Sequence, residues 1–208
     1  MDKWDDTTTE GSKMEQVVLK TIPGGVEKSR ITDDELKSLA KVDRERAFNS
    51  LVQRYKKPLF YHALYMLRKE EDAIDVSQEA LVRAYQEERL FDEDFLIKAW
   101  LYRVTTNLCH NIMRSSRRKK KACDVLARDE EPKIEATDER IANEQTKGQL
   151  LDALDQLPEK DKSILLLRYY EDLSYKEIAE TLKCKLGTVM SRLGRARQRL
   201  ARSMNDAL

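Results

Sequence analysis

The chain has 208 residues, 40% of them hydrophobic and 37% charged, and 39 basic against 38 acidic side chains leave a net charge of +1. That length admits one large domain or two small ones, and the composition belongs to a soluble, helix-rich class. No apolar run approaches the roughly 18 residues of a membrane helix and the N-terminus lacks the apolar core of a signal peptide, so a cytoplasmic protein is expected.

The near-zero charge hides segregation into blocks. Asp2, Asp5, Asp6 and Glu10 stand against Lys3 alone, Arg114 to Lys121 is almost entirely basic, and an acidic stretch follows it. Charge in blocks points to nucleic acid more strongly than a net value does. Cys109, Cys123 and Cys184 form no paired framework. Cys109 and His110 are neighbours on a helix and point in different directions, and no CxxC pair exists, so no metal site is expected. Free thiols in a reducing compartment are the ordinary reading.

In chain order, residues 1–42 read as an N-terminal extension, flexible or loosely docked. It holds a short apolar run, Val17 to Ile22, then Pro23, Gly24 and Gly25, and a short helix over Ile31 to Leu39 capped by Thr32 with Glu35 at its N3 position. From Asp43 the spacing of Ala47, Phe48, Leu51, Val52 and Tyr55 predicts a helix that Pro58 ends or kinks, continued by Leu59, Ala63, Leu64 and Leu67. A further helix over 70–87 turns Ile74, Leu81 and Ala84 or Tyr85 inward. Its opposite face shows Asp72, Asp75, Gln78 and Glu79. Compensation of the helix dipole accounts for Asp72 but less well for Gln78 and Glu79, two turns in.

Glu87 to Asp94 is a loop in which Phe91 either anchors to the core or lines a pocket for an unstacked base. The helix from Phe95 to Arg118 is expected to bury Leu96, Trp100, Val104, Leu108 and Ile112, with Ala99, Arg103, Asn107, Asn111 and Arg114 on neighbouring faces. It closes in Arg114, Arg117, Arg118, Lys119, Lys120 and Lys121, more cations than a helix C-terminus needs, with a mobile basic tail as the competing reading. Rings that stack bases, amides that read edges and cations that hold phosphates are the equipment of single-strand binding.

Residues 122–140 lose periodicity and carry Asp124, Asp129, Glu130, Glu131, Glu135, Asp138 and Glu139 around Pro132, a linker composition. Residues 141–208 form a second domain. Ile141 to Leu157 is helical, Pro158 breaks it or opens the next turn, and Lys162 to Tyr170 follows with Ile164, Leu165, Leu166 and Leu167 crowded enough for burial on several sides. Ser174 and Glu177 make a capping box for a helix bearing Ile178, Ala179 and Leu182; after Lys183, Cys184 and Lys185, a second helix follows on Val189, Leu193, Ala196 and Leu200. Packed against the first, the second turns Thr188, Ser191, Arg192, Arg195 and Arg199 outward. Between Gly187 and Arg202 stand five arginines and no acidic residue. That suits a recognition helix in a major groove, although a helical hairpin with a basic solvent face shares the pattern. The fold class is therefore all-α: two small helical domains, 43–121 and 141–208, joined by the acidic linker, the second a helix-turn-helix.

Four ordered blocks carry a family resemblance: DAIDVSQEALVRAY at 72–85, AWLYRVTTNL at 99–108, LPEKDKSILLLRYYEDLSYKEIAETL at 157–182 and LGTVMSRLGRARQRL at 186–200. They resemble the bacterial RNA polymerase sigma factors of the extracytoplasmic-function (ECF) group of the sigma-70 family, which keep only the second and fourth conserved regions. The resemblance spans about residues 43–202. It implies that Asp72, Asp75, Gln78 and Glu79 dock on the clamp of core RNA polymerase, and that Phe91 helps hold a base flipped from the promoter −10 element. It implies further that Trp100, Arg103 and Asn107, with Asn111 and the cluster Arg114, Arg117 and Arg118, open and grip that element as a single strand. Met190, Ser191, Arg192 and Arg195, with Thr188 and Arg199 on the same helix, correspond to the reader of the −35 duplex. The linker resembles the segment that threads near the polymerase active centre and RNA exit path, and a cognate anti-sigma factor, often membrane-bound, is an expected partner.

No cofactor, metal or small-molecule substrate is expected. Met190 stands where the family has lysine or arginine, Gly194 where a larger side chain is common, and Ser77 and Ala80 replace an apolar residue and a threonine in the docking helix. The N-terminal extension has no family counterpart. The alternative is a conventional helix-turn-helix repressor or activator that binds a palindromic duplex without polymerase. An enzyme is disfavoured: His62 and His110 are the only histidines, and there is no P-loop, nucleophile elbow or HExxH.

Overall fold

A computed structural model describes residues 31–123 and 144–205. The acidic opening of the chain, the run Val17 to Ile22 and the linker from Asp124 onward lie outside these, as do the side chains of Lys120, Lys121 and Cys123. Among the described residues all regular structure is helical.

The first unit opens with α1 (Asp33–Ala40), whose capping box forms as the sequence predicts: the Glu35 amide donates to Thr32 Oγ1 at 3.2 Å and the Thr32 amide to Glu35 Oε2 at 2.6 Å. The Thr32 amide and hydroxyl also hold the Glu35 carboxyl below its usual range. This helix is docked; the rest of the stretch expected to be an extension, residues 1–30, lies outside the described residues. Leu36 is fully buried, and Asp33 accepts from the Tyr55 hydroxyl at 2.7 Å and the Lys98 amide at 3.3 Å. Those partners lie far along the chain, out of reach of a local pattern.

Helix α2 (Arg44–Leu67) starts at Asp43, whose carboxylate accepts from the Arg46 amide at 2.9 Å, and runs 24 residues straight through Pro58. Interior proline costs about 3 kcal/mol, but Leu51 and Tyr55 before it and Leu59, Ala63 and Met66 after it are all buried on one continuous stripe. Burial of large apolar side chains at roughly 1.5–3 kcal/mol each outweighs that cost, so the helix does not end there.

Helix α3 (Glu70–Gln86) buries Ala73, Val76, Ser77, Ala80 and Ala84. Ile74, expected inside, is exposed, Leu81 is half-buried, and of Ala84 or Tyr85 it is Ala84 that turns inward. Size misled the pattern here: the inward stripe is made of small residues, and Ser77 satisfies its own hydroxyl on the Ile74 carbonyl at 2.9 Å. Ser77 and Ala80, the departures from the family pattern, are thus packing positions and not surface ones.

Helix α4 (Ile97–Cys123) is rotated from its expected setting. Ile97, Leu101, Tyr102, Thr105, Thr106 and Cys109 are the fully inward positions, while Leu96 is 53% exposed and Trp100, Val104, Leu108 and Ile112 are half-buried. The two threonines hid the stripe. Thr105 donates to the Leu101 carbonyl at 2.9 Å and Thr106 Oγ1 lies 3.1 Å from His62 Nε2, so both hydroxyls are satisfied inside the core.

The second unit begins with α5 (Glu144–Asp155). Pro158 opens α6 (Glu159–Leu165), which passes into a π turn over Leu166–Tyr170. Ile164 to Leu167 are all buried, as their crowding predicts. Next come α7 (Tyr175–Leu182) and α8 (Leu186–Asn205), and α8 packs on α5 and α6. The buried Lys162 ammonium is matched by Asp155, and the Asp161 carboxylate by Arg199.

Candidate nucleic-acid and partner interfaces

Rotation of α3 by its small-residue stripe sets what its outer face presents. Asp75, Gln78 and Glu79 are exposed and Asp72 is half-buried. Glu79 pairs with Arg83 at 2.8 Å and Asp72 lies 3.5 Å from Lys69, so two of the four carry a neighbouring cation. Beside them Ile74, Val82 and Tyr85 are exposed. Ile74, Gln78 and Val82 follow at i, i+4 and i+8, which puts them on one line of the helix. The face is thus a mixed apolar and acidic strip, suited to a protein surface. Its apolar members were not anticipated, though the run Ala73, Ser77, Ala80, Ala84 on the opposite side is the signal that defines them.

The loop after α3 is built around Phe91, which is only 8% exposed. The Arg44 guanidinium lies 5.5 Å from its ring centroid and donates to the Glu87 and Glu88 carbonyls at 3.0 and 3.2 Å. Lys37 donates to the Glu93 carbonyl at 2.8 Å, and Lys41 to its carboxylate at 2.8 Å, which holds that carboxyl below its usual range. The buried Phe91 ring, covered by the Arg44 guanidinium, is the arrangement that the anchor reading expects. Arg44 is the residue local pattern did not reveal, because its targets lie more than forty positions away.

On α4, Trp100 is half-buried with its ring 5.9 Å from that of Phe95, Arg103 is half-buried, and Asn107, Asn111, Arg114, Arg117, Arg118 and Lys119 are exposed. Positions 103, 107, 111, 114 and 118 recur at four- and three-residue spacing, so they form one stripe of amides and cations. At 1.5 Å per residue it is about 22 Å long.

The helix-turn-helix forms as the sequence predicts. The Glu177 amide donates to Ser174 Oγ at 3.3 Å and the Ser174 amide to Glu177 Oε2 at 2.8 Å, closing the box on α7. That helix ends at Lys183, held left-handed with φ 47°, while the Cys184 amide reaches back to the Ala179 carbonyl at 3.0 Å. This is a Schellman closure without its usual glycine. The Lys185 carbonyl then receives the Thr188 and Val189 amides at 2.8 and 3.1 Å, starting α8. Val189, Leu193, Ala196 and Leu200 are buried, Thr188 and Arg192 half-buried, and Met190, Ser191 and Arg195 exposed. Arg199 differs from its companions: it is bonded to Asp161 of α6, and so fastens α8 to its neighbour.

Comparison with known proteins agrees with this division. Residues 51–119 match the family described as Sigma-70 region 2, and residues 147–200 match Sigma-70, region 4. The chain is similar to the RNA polymerase sigma-H factor of Pseudomonas aeruginosa, with 31% identity over 172 residues that cover 79% of this chain and 89% of that one. It is also similar to the ECF RNA polymerase sigma-E factor of Haemophilus influenzae, with 32% identity over 178 residues, covering 81% and 93%. Among solved structures, the sigma factor RpoE of Bartonella quintana, crystallised with the anti-sigma factor NepR, shares the fold with a TM-score of 0.63 and 23% identity over 76% of this chain and 96% of that one.

Proposed function

The chain belongs to the ECF group of the sigma-70 family of RNA polymerase sigma factors, and from that premise we propose how its parts divide promoter recognition. As a sigma factor it directs core RNA polymerase to promoters for initiation and performs no chemical step of its own.

The region 2-like domain comprises residues 43–121 extended backward by α1. Its α3 strip docks on the polymerase through Asp75 and Gln78, flanked by Asp72 and Glu79 and supplemented by Ile74, Val82 and Tyr85. The α4 stripe captures the −10 element as a single strand: Trp100 stacks, Arg103, Asn107 and Asn111 meet base edges, and Arg114, Arg117 and Arg118 hold backbone. Stacking of roughly 1–3 kcal/mol per base offsets the unpairing that opens the duplex. Phe91 supports this site from beneath by shaping its loop. Residues 122–140 link it to the region 4-like domain, 141–208, in which Thr188, Met190, Ser191, Arg192 and Arg195 read the −35 element. Arg199 is left to the fold. By analogy with the complex that the Bartonella protein forms, an anti-sigma factor is the expected inhibitor of this chain as well.

The observation that carries the reading is α8, with a complete buried stripe on one side and, on the other, arginines with no carboxylate among them. Transcription in vitro with purified core polymerase and a genomic fragment library tests it and yields the promoter. Wild type should initiate at discrete sites, and Asp75→Ala with Gln78→Ala should lose co-purification with polymerase while circular dichroism is unchanged. A chain that ignores polymerase yet grips a symmetric operator as a dimer overturns the reading in favour of a conventional regulator.

A further inference from the structure

The helix assigned to the −35 duplex carries two large apolar side chains that remain partly exposed. Leu186 is 41% exposed and Met190 46%, and they are the exposed large apolar residues among the described residues of the second unit. The buried stripe of Val189, Leu193, Ala196 and Leu200 is complete without them. They stand one turn apart, at the first and fifth residues of α8, the end that the turn at Lys183 delivers to a groove. Along the chain from Lys183 to Arg202 the charge has one sign: Lys183 and Lys185 precede the pair, Arg192 and Arg195 follow it, and α8 has no acidic side chain. An apolar pair set among cations on an exposed helix complements a polyanion that itself presents apolar groups.

In duplex DNA the apolar group on a groove floor is the C5-methyl of thymine in the major groove. We propose that Leu186 and Met190 are specificity determinants that read thymine methyls in the −35 element, an inference that rests on the assignment of α8 as its reader. Their separation along the axis is about 6 Å, at 1.5 Å per residue, close to the roughly 6.8 Å of two base steps at 3.4 Å each. A helix lying along the groove therefore sets the two side chains on thymines about two steps apart, on either strand. A lysine or arginine at 190 would instead select guanine through O6 and N7. The −35 element of this protein is accordingly expected to hold thymine where a cationic residue at 190 would favour guanine.

The test uses the full chain in complex with core polymerase. Binding is first selected from promoter duplexes randomised across the −35 element, and each thymine of the selected element is then replaced singly by deoxyuracil, which differs only by the methyl. With wild type, replacement at either of two thymines should weaken binding about fourfold, the effect of burying one methyl-sized group. Met190→Ala should abolish sensitivity at one thymine and Leu186→Ala at another, while Met190→Leu retains it. Met190→Arg should shift selection at its position towards guanine. Indifference of wild type to every deoxyuracil, with Arg195→Ala still losing −35-dependent binding, overturns this inference and spares the parent assignment. If Arg195→Ala is equally harmless with and without a −35 element, the parent assignment fails. Equal loss by Met190→Ala on templates with and without the element puts these side chains against polymerase protein, which also overturns the inference.

Discussion

Gly194 sits in the middle of α8, and a methyl group built there meets nothing within 4 Å. Its φ is not left-handed, so the backbone asks for no glycine. Glycine in a helix interior is about 1 kcal/mol less favourable than alanine, in part because the unfolded chain is freer. With no clash to subtract, Gly194→Ala should stabilise the second unit by about 0.5–1 kcal/mol. For a domain of this size each 1 kcal/mol moves the melting point by about 4–8 °C, so the rise should be roughly 2–8 °C. Calorimetry of the full chain reads that transition. Hydrogen exchange of α6 and α8 peptides localises the effect, and their protection should grow about two- to fivefold. Gly148→Ala in α5, where the added carbon also meets nothing within 4 Å, is the matched control. If the 194 variant melts no higher and its α8 amides exchange as fast or faster, while the 148 variant gains, position 194 is not open and the packing described for α8 is wrong.

Three further outcomes are expected. Burial, and then the negative charge of Asp33, push the Tyr55 hydroxyl well above its ordinary range. The native chain thus keeps a proton that the unfolded chain releases near pH 10, so the stability linked to Tyr55 is complete below that pH and falls as pH rises beyond it. Tyr55→Phe should flatten that fall in urea melts between pH 9 and 11, and an unchanged slope would refute the role. Arg199→Ala removes the partner of the Asp161 carboxylate and should cost about 1–3 kcal/mol of stability, lowering transcription equally with and without a −35 element; a selective loss would return Arg199 to DNA reading. Phe91→Leu should keep normal permanganate reactivity of −10 thymines whereas Phe91→Ala reduces it, since an anchor needs apolar volume and a stacking platform needs the ring. Loss with leucine would mean that the ring meets a base.

What could be read from the sequence was local. The Ser174–Glu177 box, the Thr32–Glu35 box and the buried run Val189, Leu193, Ala196, Leu200 each depend on residues within a turn or two, and each formed as expected. The inner faces of α3 and α4 were misread because their stripes use Ala, Ser and Thr, whose small size or internally satisfied hydroxyls allow burial without a hydrophobic signature. Two side-chain roles were not legible: Arg199 is exposed as expected but also bonds Asp161, and Arg44 supports the loop of Phe91. In both cases the missing information is a pairing across the chain, Arg199 with Asp161 and Arg44 with Phe91, and such pairings leave no period to detect.

Asp33 ties together pieces that are distant in sequence. Its carboxylate receives the Tyr55 hydroxyl and the Lys98 amide, so the opening turn of α4 is fastened to the scaffold by a residue upstream of position 51, where the region 2 match starts. A chain trimmed to that stretch would forfeit a keystone contributed by its own forerunner, and the first turn of α4 would fray. A side chain from before the matched stretch can therefore set how firmly the α4 surface is held in place.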